Sequence, residues 1–158
     1  MRNTAMNSVP GTSADAHAIS VMGSVGLDGN DLVIALLEQS DDCIKILSID
    51  GHLDFMNCNG LKAMEIDFPE LVLGKLWWKL WPSQSQDFVK QCFLKAARGE
   101  EARFEADCPT AKGTPHRWNV HLKPLTAREG TVVSVLSTSR MVTGASDTKG
   151  NELVPERA

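Results

Sequence analysis

The sequence predicts an α+β domain in which a five-stranded antiparallel sheet carries its helices on one face. Three observations lead there. An Asp50-Gly51 pair separates two short apolar runs and is followed at once by an asparagine-opened helix. The stretch from Ser83 to Gly99 keeps a helical period, with Phe88, Cys92 and Ala96 on one row and Val89, Phe93 and Ala97 on the next. Beyond Gly99 the period changes to two and holds through three further runs. A chain of 158 residues has room for one such domain with its own core.

Taken in order, residues 1–29 are rich in Ser, Ala, Gly and Asn, carry only Arg2, Asp15 and Asp28 as charges, and are expected to form a mobile tail. The segment Asp31-LVIALLEQ-Ser40 has apolar residues at helical spacing, with Asp28, Asn30 or Asp31 available as caps. This short helix is apolar nearly all round. It must therefore pack on its own domain, on a second copy, or on both, which makes Leu32, Val33, Leu36 and Leu37 the candidate dimer interface.

The hairpin comes next. Glycine and aspartate tolerate the positive φ of a type I′ turn, and alternation places Ile44, Ile46 and Phe55 inward with Lys45 and Asp54 turned away. Asn57 or Asn59 caps the following helix, whose buried face carries Leu61 and Met64. Pro69 and Gly74 then limit the chain to short turns bearing Trp77, Trp78 and Trp81. Rings of that size close over a core or cavity, or else present a membrane- or peptide-binding patch.

Ser83 is expected to open the next helix, with Gln86 in capping-box position and Gly99 as its stop. In the strands that follow, Phe104, Ala106 and Cys108 share one phase, as do Trp118, Val120 and Leu122. Thr131-VVSVLSTS-Arg140 supplies a last, β-branched strand. The expected division is a tail over 1–29, a domain over 30–143 and a second polar tail over 144–158.

The net charge of −4 is spread over both signs with no basic stripe, so nucleic acid is not an expected partner. No apolar stretch approaches the ~20 residues that span a bilayer, which points away from a membrane and toward the cytoplasm. The four cysteines, Cys43, Cys58, Cys92 and Cys108, are dispersed without a CxxC pair and are expected to be buried free thiols. Asp41-Asp42 and Glu100-Glu101 fall at element ends as solvated charges. No nucleophile with its base, convergent carboxylate pair or phosphate loop is legible, so no catalytic residues are assigned and the chain is not expected to be an enzyme.

Several joints of this pattern resemble the PAS family, in the subgroup common in bacterial signalling proteins, over roughly Asp31 to Thr143. SIDGHLDFMNCNGLKAM resembles the family's turn-and-asparagine pattern through Asp50-Gly51 and Asn57, with Asn59 where alanine is usual. LGKLWWKLWP resembles its next segment through Gly74, Leu80 and Pro82, and KGTPHRWNVHLKPL its glycine turn and tryptophan strand. STSRMVT stands where a D-I-T triplet closes the family pattern, with Met141 in place of the aspartate.

The resemblance implies a curved sheet whose concave face and covering helices enclose a small pocket, used to sense a ligand or to associate with a protein. It implies transmission through the last strand. With no kinase, cyclase or DNA-binding segment after Val142, the expected molecule is a receiver without its own output. Some relatives hold haem or flavin. No histidine lies on the helix from Ser83 to Arg98, where haem-binding relatives carry their ligand, and Asn57-Cys58-Asn59 is not the N-C-R-F-L-Q motif of flavin photoreceptors. Neither cofactor is expected, and no metal site is assigned.

The expected function is thus a stand-alone sensor or adaptor for a small apolar ligand, with Ile46, Phe55, Trp78, Phe93 and Trp118 as candidate pocket residues chosen by size and phase. The alternatives are a dimerising module with those side chains filling a solid core, or the sensor fragment of a histidine kinase. The expected partners are accordingly a second copy, as a homodimer, or a histidine kinase.

Overall fold

The computed structural model describes residues 13–143 and 152–153. Its elements are α1 (Ser13–Val25), α2 (Gly29–Gln39), β1 (Cys43–Ser48), β2 (Leu53–Met56), α3 (Cys58–Ala63), α4 (Gln86–Ala97), β3 (Ala102–Asp107), β4 (Arg117–Thr126), β5 (Val132–Met141) and β6 (Glu152–Leu153). Two 3-10 turns, Pro69–Leu71 and Trp77–Leu80, lie between α3 and α4. The chain divides into two compact units between Leu36 and Leu37, inside α2.

Of the segment read from sequence as a tail over 1–29, residues 1–12 lie outside the described residues. Residues Ser13–Val25 are helical, a consequence of the closely spaced alanines Ala14, Ala16 and Ala18 with Asp15 in the first turn. Gly26, at φ 70°, ends that helix, and the Asp28 carboxylate accepts the Asn30 N–H at 2.8 Å to start the next. No single described helix is long and apolar enough to cross a membrane; α1 and α2 would qualify only together, and they bend by 119° at their break.

In the second unit the strands pair antiparallel in the order β2-β1-β5-β4-β3-β6. The first five are the expected sheet. The sixth is an edge of two residues, Glu152 and Leu153, facing Glu105 and Phe104, within a segment read from sequence as a tail; the rest of 144–158 lies outside the described residues. Helix α4 packs on β3, β4 and β5, and α3 on β1.

Phe104 is the hub of the core. Its ring meets Trp77 at 6.4 Å, Trp81 at 5.8 Å and Phe88 at 5.5 Å, centroid to centroid, while Trp77 and Trp81 meet edge to face at 5.7 Å. The tryptophan-bearing turn is thus carried inward by its apolar load.

β3 and β4 bury the side chains their alternation predicts, with Ala102, Phe104, Ala106, Trp118, Val120 and Leu122 inside. β1 does the opposite of its expected phase. Cys43, Lys45 and Leu47 are buried, whereas Ile44 and Ile46 are half-buried on the other face. The run CIKILS carries apolar groups on both faces, so alternation alone does not choose between them; a one-residue change of phase exchanges every side chain. Across the hairpin Lys45 opposes Met56, Ile46 opposes Phe55, and Leu47 opposes Leu53, a bulge absorbing Asp54, which is exposed.

Three local expectations also change. The hairpin loop has three residues, Ile49 to Gly51, bracketed by Ser48 N–H to His52 O (2.8 Å) and Gly51 N–H to Ser48 O (2.9 Å); Gly51 has positive φ, at 90°, and Asp50 does not, so the turn is not type I′. Helix α4 begins at Gln86 with Ser85 as its cap residue, because residues 82–85 form a turn of their own, and the Gln86 amide donates to Trp81 O at 3.0 Å. Cys58 is exposed in the first turn of α3, while Cys43, Cys92 and Cys108 are buried free thiols.

Candidate functional site

Between the inner face of the sheet and the turns that cover it lies a cavity of about 430 Å³. That volume falls within the range of about 300–1,000 Å³ typical of small-molecule sites. The sheet contributes Lys45 from β1, Met56 from β2, Trp118 from β4 and Ser139 from β5, with Cys108 just past β3. Met64 and Ile66 after α3, Val72 after the first 3-10 turn, Trp77 and Leu80 of the second with Trp81 and Pro82 just past it, and residues 109–111 of the β3–β4 hairpin complete its walls.

The polar groups of this lining have distinct origins. Lys45 stands between Cys43 and Leu47 on the inner face, only 6% exposed, and its Nζ donates to Ser139 Oγ at 3.3 Å. Among the described residues no carboxylate lies within ion-pair distance of it. Burial pushes the Cys108 thiol up to about 11, with the nearby Lys45 charge a smaller opposing influence. Trp118 is held by its indole N–H, which donates to Cys108 O at 2.9 Å, and by His116, whose ring meets it edge-on at 5.8 Å.

The hairpin wall is tied to the end of α3 by Glu65. Its Oε1 accepts the hydroxyl of Thr110 at 2.7 Å and that of Thr114, while Ala111 N–H donates to Met64 O at 2.9 Å. Hydrogen bonds from Thr114 and then Thr110 hold the Glu65 carboxyl below its usual range. Glu65 is also, among the described residues, the one non-glycine at positive φ, 53°, the left-handed residue that ends α3, with Ile66 N–H donating to Leu61 O at 2.8 Å. Lys112 and Asp67, 3.0 Å apart and exposed, add a screened contact beside it.

A second, more open cleft of about 400 Å³ shares Trp118 and Ser139 with the first. Arg140 and Asp42 line it and form a two-pronged ion pair at 2.6 and 3.1 Å.

Of the five pocket residues chosen from sequence, Trp118 lines the main cavity. Trp78 and Phe93 are buried against each other at 5.4 Å, elsewhere in the core. Ile46 and Phe55 pair on the opposite face of the hairpin. On α2, Val33 and Leu36 are 54% and 59% exposed, and Leu32 and Leu37 are half-buried. Sequence reasoning missed Lys45, Met56, Cys108 and Ser139, and it gave Trp77 and Trp81 only as rings closing over a core or cavity. The signal available for Lys45 was its phase with Cys43 and Leu47, which the two isoleucines outweighed. No histidine lines the cavity, and among the described residues no three His, Cys, Asp or Glu side chains converge as metal ligands.

An antiparallel sheet covered by short helices, with a small-molecule-sized cavity between the layers, defines an α+β domain with a candidate ligand site. The family model described as the PAS fold matches residues 37–147, well over half of the chain, and the chain belongs to that family. The fold is similar to the PAS domain of an HTR-like protein from Haloarcula marismortui, with 23% identity, a TM-score of 0.60, and 72% of this chain and 96% of that one covered. It is similar also to the PAS domain of a protein from Colwellia psychrerythraea, at 14% identity and a TM-score of 0.65, covering 73% and 98%. A domain of a sensory box sensor histidine kinase/response regulator from Geobacter sulfurreducens matches at 22% identity and a TM-score of 0.58, covering 70% and 92%. At these identities the likeness establishes the fold. No curated protein sequence matches the chain.

Proposed function

We propose that this chain is a PAS sensor domain of bacterial signal transduction, whose cavity takes a small, largely apolar ligand and which performs no catalysis. The observation that carries the proposal is the 430 Å³ cavity between sheet and cover, walled by Met56, Met64, Trp77, Trp81 and Trp118. Occupancy alters signalling only through differential affinity for two states of the domain. The Lys45 to Ser139 contact supports a reading in which β5, the last long strand, registers such a difference. The domain is proposed to act in the cytoplasm without haem or flavin, and the sensor histidine kinase likeness supports a kinase as its partner.

Native mass spectrometry of the protein purified from its own host tests this. A bound small molecule is expected. Its absence, together with no thermal shift in a metabolite screen, would overturn ligand sensing.

A second reading, self-association, is favoured by one specific observation: Val33, Ile34 and Leu36 on α2 are each more than half exposed. A concentration-dependent dimer that Leu36→Asp reduces to monomer would support it, and an unchanged mass would count against it.

A further inference from the structure

Lys45 is a cation facing an apolar cavity, and among the described residues it has no carboxylate partner. An ammonium has three donors, and among the described residues its one hydrogen-bond partner is the Ser139 hydroxyl. A charge taken out of water is costly unless it is paired, so such a group favours a ligand that brings the missing anion. The neighbouring inward position of β5 is polar as well. Ser137, the cross-strand partner of Lys45 on the same inner face, is fully buried, and its hydroxyl is the buried side-chain polar atom left without a hydrogen-bond partner among the described residues. Native interiors rarely leave such a group unmatched. Lys45 and Ser139 line the cavity, an ammonium and a hydroxyl on adjacent strands, while Ser137 shares their face of the sheet outside the lining.

The rest of the lining limits what else the ligand carries. Trp77, Trp81 and Trp118 offer flat aromatic surface, and Met56 and Met64 offer adaptable apolar surface. Thr110, the polar side chain of the hairpin wall, is already committed to Glu65. We infer that the cavity is built for an amphipathic monocarboxylic acid, an aliphatic or aromatic body with one carboxylate seated against Lys45 and the Ser139 hydroxyl. This rests on the ligand-sensing function proposed above and names its chemical class. A cation would be repelled by Lys45, and a neutral ligand would leave that charge unpaired.

The test compares acids with their primary amides, which keep shape and remove charge: indole-3-acetate with indole-3-acetamide, and octanoate with octanamide, titrated calorimetrically into the full chain in carboxylate-free buffer. The wild type is expected to bind each acid about tenfold or more tightly than its amide, the scale of a hydrogen bond to a charged group. Lys45→Met is expected to bind acid and amide equally, with amide affinity retained. Lys45→Gln serves the same purpose if the methionine variant does not fold. Equal binding of acid and amide by the wild type, a comparison that needs no variant, would overturn the anion site while leaving the ligand pocket standing; so would an acid preference that survives loss of Lys45. Failure of every acid and amide to bind at millimolar concentration would overturn the pocket and the anion site together.

Discussion

Asn57 accepts the backbone N–H of Ile44 at 2.8 Å with the same side-chain oxygen that caps α3 through Gly60 N–H at 3.0 Å. Its amide nitrogen donates to Asp42 O at 3.0 Å and Leu37 O at 3.3 Å. One buried side chain therefore joins the start of β1, the start of α3 and the end of α2. Asn59 adds donations to the carbonyls of Glu38 and Ser40. These carbonyls belong to a helix end, where backbone acceptors lack partners within the helix.

Replacing Asn57 with Ala removes all four bonds, and with the residue 2% exposed, water cannot replace them freely. A loss of about 3 kcal/mol is expected, from the usual cost of stranding buried polar groups together with a lost helix cap. Urea denaturation measures it. A loss below about 1 kcal/mol would show that the joint is supported by other contacts.

Gly51 is required twice over. Its φ of 90° is unfavourable for an L side chain, and a Cβ there would fall 2.2 Å from the Trp78 ring. The hairpin backbone is the surface on which that indole lies, and Lys90 covers it with Nζ 5.4 Å from the ring centroid. Gly51→Ala is expected to cost more than about 2 kcal/mol, through strain and displacement of a packed ring. It should also shift the tryptophan emission. A wild-type melting temperature and spectrum would show that the hairpin can move off Trp78 freely.

The Glu65 clamp gives stability a pH dependence with a definite sign. Its carboxyl is held below the ordinary 4.5 in the folded chain, so the unfolded chain binds the proton more readily. The contribution is present above pH 4.5 and is lost as pH falls through the lowered folded value. Thermal unfolding between pH 6 and pH 3 is expected to show a shallower acid decline in Glu65→Gln than in the wild type. Parallel curves would remove Glu65 from the acid response.

Much of this molecule is legible in its residues. The order of elements from β1 to β5 follows from period changes and turn signals, and the inward phase of Phe104, Trp118 and Val120 follows because each alternates with charged or polar neighbours. Asn57 announces itself as a cap, and Gly99, at φ 102°, as a helix stop. The site is less legible, for reasons visible in single positions. Lys45 reads as a surface residue because lysine is seldom buried, and Trp78 reads as a pocket residue because its size is evident while its neighbour Gly51 is not.

By itself, then, the sequence determined the PAS architecture, its cap and its turn positions, since these depend on local preferences and periodicity. Tertiary structure alone decided which face of β1 turns inward, which tryptophans wall the cavity, and that Glu65 reaches Thr110 and Thr114. A strand with apolar side chains on both faces has no preferred side until its neighbours pair. The pairing that brought Lys45 across from Ser137 placed a cation in the cavity.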